Sequence, residues 1–203
     1  MPSKYLWLFD NGHGGIIRGV YQTQGKRSPL WPDNTQLFEG EFNRDVVQRL
    51  ITLCDQNGID YVNIVPEQED IPRAERTRRA NEIYETDKRC IYLSIHSNAG
   101  GGRGWEIYTS LGETKSDKIA SVFFTKIKEE FGQITMRTDY SDGDPDKEAQ
   151  FDVLVDTIMP AVLTENFFMD NIDECKNILM TESGRDRIAN AHFKAILEIE
   201  DKL

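Results

Sequence analysis

The chain has 203 residues, 38% hydrophobic and 29% charged, the balance of a soluble globular protein rather than a disordered one. A formal net charge of -11 argues against non-specific binding to nucleic acid or to anionic membranes. No stretch is long and apolar enough to span a bilayer, and the length suits a single domain over 1–203 with a sizeable core.

The first element is a short apolar run, Leu6-Trp7-Leu8-Phe9, which stops in Asp10-Asn11-Gly12-His13-Gly14-Gly15. It reads as a buried strand ending in a glycine-rich turn, and side chains just past such a strand stand at the mouth of an α/β sheet. No apolar leader precedes it, so the chain as written is expected to accumulate in the cell that makes it. A leader removed beforehand would make it a secreted protein instead. Residues 14–38 form a long Gly-, Pro-, Gln- and Ser-rich connection, either one wall of a cleft or a surface excursion.

From Glu39 the spacing of Phe42, Val46, Leu50 and Leu53 predicts a core-facing helix, closed by Asn57-Gly58. Glu39 extends the inner stripe, where a carboxylate needs a partner. Glu41 falls on the wet face and is expected to be solvated. Ile59–Val65 predicts a strand ended by Pro66, and Arg73–Tyr84 a charged helix on which Arg76, Arg78 and Arg79 form a solvated face. Cys90–Asn98 repeats the opening pattern: an apolar strand, His96 near its end, then small residues and glycines. Gly104–Thr109 predicts a further strand and Ser116–Phe131 an amphipathic helix. The acidic stretch Thr138–Gln150, with Asp142-Gly143-Asp144-Pro145-Asp146, lacks the full spacing of a calcium loop and is expected to be solvated. Met159–Phe168 is a third apolar strand, carrying Glu165 near the sheet mouth. The last helix, Gly184–Glu200, holds His192 on its apolar stripe as a packed structural residue. Cys54, Cys90 and Cys175 show no paired spacing and read as buried free thiols.

Strands alternating with helices predict an α/β fold: a mainly parallel twisted sheet with helices on both faces, similar to zinc exopeptidases. In such a sheet His13, His96, Glu165 and Glu39 can meet in one cleft. Two histidines and one carboxylate with an open position form a ligand set for catalytic zinc (Zn2+), while a second, free carboxylate serves as base. Glu39 and Glu165 are the two carboxylates available for these two jobs.

The stretches Asp10–Gly15, Glu39-Gly40-Glu41-Phe42-Asn43, Ser94–Ala99 and Pro160–Phe167 resemble the zinc-dependent N-acetylmuramoyl-L-alanine amidases, peptidoglycan hydrolases of bacteria and phages. Arg76 with Ala80-Asn81, and Gly104–Tyr108, resemble weaker features of that family. The resemblance implies zinc ligands at His13, Glu39 and His96, a catalytic glutamate at Glu165, and a substrate contact at Asn98. It also implies hydrolysis of the amide between the lactyl group of N-acetylmuramic acid and L-alanine of peptidoglycan glycopeptide; separately, the chain is expected to be a monomer. The chain departs from the family pattern in its longer 14–38 loop, in Asn11, and in Asn166-Phe167-Phe168; the loop bears on substrate choice. Two other readings are a zinc exopeptidase acting on ordinary peptides and a catalytically inactive wall-binding module. Retention of all four reacting groups speaks against the latter.

Overall fold

The computed structural model describes residues 2–203. Its strands are β1 (Leu6–Asn11), β2 (Ile16–Ile17), β3 (Val20–Tyr21), β4 (Tyr61–Asn63), β5 (Cys90–Asn98), β6 (Trp105–Thr109), β7 (Lys147–Glu148) and β8 (Ala161–Phe168). The helices are α1 (Glu39–Asn57), α2 (Arg73–Thr86), α3 (Lys115–Phe131), α4 (Asp152–Val155), α5 (Ile172–Glu174) and α6 (Glu182–Lys202). A π-helical turn, Cys175–Leu179, follows α5.

Six strands make one sheet in the order β4-β1-β5-β8-β6-β7. β4, β1, β5 and β8 run parallel, and β6 reverses against β8. The central strands carry bulky residues at successive positions because both sheet faces are covered. Trp7 and Phe9 enter the larger core beneath α1, α3 and α6, while Leu8 enters a smaller one beneath α2 and α4. Tyr92 and Leu93 on β5 divide in the same way. Helices therefore cover both faces, as the alternation of elements predicts.

The helix ends follow their local chemistry. Gly58 closes α1 in the left-handed conformation at φ 67°. Thr114 and Asp117 form a capping box on α3. β4 is shorter than the seven-residue run predicted for it: Val65 N donates to Asn63 Oδ1 instead of to the ladder, and Pro66 has no N–H to give.

Residues 14–38 are built, not loose. β2 and β3 form a hairpin, Arg27 bridges Phe38, Trp31 is buried, and Glu39 N donates to Lys26 O at 2.9 Å. The 138–150 stretch is largely solvated, as expected, with one exception at Asp146. β7 joins the sheet edge parallel to β6, which draws Asp146 inside, where Thr109 Oγ1 donates to its Oδ2 at 2.6 Å. All three cysteines are buried and free.

Candidate metal centre

The chain leaves β1 through Gly12 and His13. His13 has φ 70°, a left-handed conformation that costs a non-glycine residue about 1–2 kcal/mol and is held only where surroundings enforce it. Helix α1 does the enforcing. Asn43 Nδ2 donates to Gly12 O at 2.7 Å, and Arg44 Nη1 donates to His13 O at 2.8 Å. Gly12 must be glycine, because a Cβ there would overlap the His96 ring.

These constraints bring three side chains together. Glu39, the first residue of α1 and almost fully buried, places Oε1 3.1 Å from His96 Nδ1 and 3.3 Å from His13 Nε2. Ser97 N donates to the same oxygen at 3.3 Å. The two imidazoles stand nearly perpendicular, with centroids 4.9 Å apart. One donor atom from each of His13, Glu39 and His96 lies within 4.8 Å of the others.

The residues fit a metal ion. His13 Nε2 and Glu39 Oε2 are buried with no hydrogen-bond partner, a costly arrangement for polar atoms that a bound cation would relieve. Two nitrogens and a carboxylate oxygen suit a borderline cation such as zinc better than a hard, all-oxygen-seeking one. Burial pushes the His13 pKa down. Burial alone would raise that of Glu39, but the two adjoining imidazoles outweigh it and hold the carboxyl below its ordinary range. His13 is thus favoured neutral and Glu39 ionised, the states that bind metal.

Glu165 sits on β8 directly beside His96 of β5 and opposite Glu106 of β6. With His13 and His96 it lines a cleft of about 740 Å³ that also takes in Lys26, Arg73 and Phe151. Its Oε2 is buried and unpartnered. Although part of the residue faces the cleft, the surrounding protein desolvates the carboxyl, and this, with the charge of Glu39, raises its pKa well above the ordinary value. Asn98 lies elsewhere. Its Nδ2 donates to Glu106 Oε1 and its Oδ1 accepts from Ala99 N, and it is not among the residues lining the cleft.

Three features were not anticipated. Arg76 is not on a solvated face: it is 4% exposed and donates through Nη1 to the fully buried Asp10 Oδ1 at 2.8 Å. Tyr92 and Ser94 hydroxyls donate to Asp10 Oδ2, each at 2.8 Å. Burial alone would raise the Asp10 pKa; Arg76, aided by His96 and these hydroxyls, holds it low. The bulky residues at β1 and β5 and the alternation around them carry no sign of this pair, although Arg76 is the α2 residue that shares its face with buried Ala80. Glu41 is half-buried rather than solvated and accepts from Ile16 N at 2.8 Å, tying the hairpin to α1. Glu106, behind Asn98, receives Arg137 Nε at 2.7 Å and Lys147 Nζ at 2.6 Å. His192 is packed within the core, its rings' nitrogens against Ile188 O and Thr164 Oγ1, consistent with a structural role.

A family model described as N-acetylmuramoyl-L-alanine amidase matches residues 8–198. The chain belongs to that family. The endolysin of Bacillus phage SPP1 is 28% identical over 207 residues, covering 97% of this chain and 66% of the relative. N-acetylmuramoyl-L-alanine amidase CwlM of Bacillus licheniformis is 36% identical over 191 residues, covering 93% of this chain and 66% of the relative. This amidase-family chain therefore spans just under two thirds of the length of those two relatives. The crystal structure of N-acetylmuramoyl-L-alanine amidase from Clostridium difficile 630 shares the fold, with a TM-score of 0.75 at 23% identity and 98% of each chain covered. Among the described residues, no helix is long and apolar enough to cross a membrane.

Proposed function

We propose that the chain hydrolyses the amide between the lactyl group of N-acetylmuramic acid and L-alanine of peptidoglycan, with zinc held by His13, Glu39 and His96. The observation that carries this reading is the convergence of those three donors, with unpartnered buried atoms, beside an unpartnered Glu165 on the neighbouring strand. Held by His13, Glu39 and His96, zinc would supply Lewis-acid chemistry, polarising the scissile carbonyl and acidifying the attacking water.

The protein's own groups do the remaining work. Glu165 takes the proton of the attacking water and passes it to the leaving alanine nitrogen. A positive ion in the triad favours its ionised form, offsetting the upward push of burial and Glu39. The cleft, lined among others by Lys26 of the 14–38 segment and by Arg73 and Phe151, holds the glycopeptide. The likeness to a phage endolysin supports lysis of the wall as the setting.

Incubation with purified sacculi tests the reading. The expected products are new N-terminal L-alanine groups without new reducing sugar ends, lost on metal chelation and regained with zinc. Reducing ends, or undiminished activity in chelator, count against it. Glu165→Gln should lower kcat by about 10²–10⁴-fold while zinc content stays at that of the parent.

A further inference from the structure

A second group of metal-ligating side chains lies apart from the cleft. Asp117, in the first turn of α3, meets Asp144 and Asp146 of the 138–150 segment, with one carboxylate oxygen from each within 4.8 Å of the others. Asp146 is 2% exposed. One of its oxygens is satisfied by Thr109, but Oδ1 is buried with no partner, and so is Oδ1 of Asp144 beside it. None of the three carboxylates makes an ion pair with lysine or arginine among the described residues. Three like charges packed around two unpartnered oxygens are unfavourable unless a proton or a cation joins them. Burial and the neighbouring Asp144 push the Asp146 carboxyl up to about 7.

We propose that Asp117, Asp144 and Asp146 form a second cation site that takes a hard divalent ion of the calcium class and pins the 138–150 segment to the start of α3. The donors are all oxygens, with no imidazole or thiolate, which selects against zinc. Two of them ride on a loop, which tolerates the irregular, high coordination of calcium better than the strict octahedron of magnesium. The alternating aspartates resemble the first half of a calcium loop, but the next carboxylate comes from a helix nearly thirty residues upstream. A test of spacing within the loop therefore misses it. Occupancy bears on the cleft: Lys147, next to Asp146, donates to Glu106 opposite Glu165, and the chain then runs directly into Phe151 and Val153 of the cleft wall.

Calcium titration of the purified protein, followed by calorimetry and thermal unfolding, tests the site. One calcium per chain is expected, with Tm rising by about 5–10 °C at calcium a hundredfold above Kd. Asp144→Asn/Asp146→Asn should abolish both responses, whereas His13→Ala should keep them. Asp144→Lys places an ammonium among the carboxylates and should raise Tm without calcium while removing the calcium response. The proposal is overturned if calcium neither binds nor shifts Tm, or if the response survives the double substitution and disappears in His13→Ala.

Discussion

Replacing Arg76 by leucine isolates the buried charge pair beneath the cleft. Arg76 and Asp10 are 4% and 0% exposed, so the substitution leaves a carboxylate in the core with only the Tyr92 and Ser94 hydroxyls as donors. The least costly response is for Asp10 to take up a proton. At pH 7 that costs about 1.4 kcal/mol for each of the ~3 pH units above an ordinary aspartate pKa, or ~4 kcal/mol. This agrees with the ~3–5 kcal/mol typical of breaking a buried pair by removing one partner. For a domain of this size it corresponds to a fall in Tm of about 8–16 °C. The sign with pH is specific. In the parent, Asp10 is held low, so its contribution is present above the unfolded pKa and is lost only as pH falls through the lower folded value. In the variant the folded pKa lies above the unfolded one, so the penalty grows as pH rises above ~4. Urea unfolding at pH 5, 6 and 7 should show the difference between the two proteins shrinking by about 1.4 kcal/mol per unit towards acid. A remainder of ~1 kcal/mol, independent of pH, is expected from the lost hydrogen bond of Arg76 Nε to Ile71 O. Adding Asp10→Asn should recover ~2 kcal/mol or more. A penalty below ~1 kcal/mol at pH 7, or one unchanged between pH 5 and 7, refutes the reasoning.

Gly12→Ala should drive a methyl group into the His96 ring and displace that ligand, lowering activity on sacculi at least ~10²-fold with loss of bound zinc measured by elemental analysis. A variant that binds zinc and cleaves normally would show that the turn has room to spare. His192 has its pKa pushed down to about 4 by burial, so it is neutral in the fold, and stability is lost as pH drops from ~6.5 through 4, by up to ~3 kcal/mol. His192→Gln should unfold with a flatter acid limb in urea between pH 7 and 4.5; parallel limbs would exclude His192 as the cause. Zinc added to metal-stripped protein should raise Tm by several degrees through preferential binding to the folded triad, and His96→Ala should remove that rise.

Much of the fold follows from short-range patterns. Burial of both faces makes β1, β5 and β8 continuous apolar runs, and the three- and four-residue spacing on α1, α3 and α6 reports the side turned to the sheet. Boundaries set by a single chemical event, such as Gly58 after α1, were readable for the same reason. The edge strands were not. β7 is two residues of an acidic segment, Lys147–Glu148, whose pairing with β6 is determined by neighbours distant in sequence. The hairpin β2–β3 is equally short and is held by contacts from α1 and the Gln68–Asp70 region rather than by its own pattern.

The candidate site divides along the same line. His13, His96 and Glu165 were legible because each stands within a few residues of the end of an apolar strand, and the parallel sheet gathers such positions at its carboxyl end. Glu39 was legible because a carboxylate on the inner stripe of a helix demands a partner. What holds these groups in place was hidden. Arg76 and Asp146 look like surface charges in the sequence, and both become buried through tertiary packing alone: Arg76 because Asp10 sits under α2, and Asp146 because β7 folds it against Thr109. A buried charge needs a compensating group, so each should have one in the native protein. Arg76 has Asp10. Asp146 has only other carboxylates and one hydroxyl, and that imbalance is the physical reason to look there for a cation.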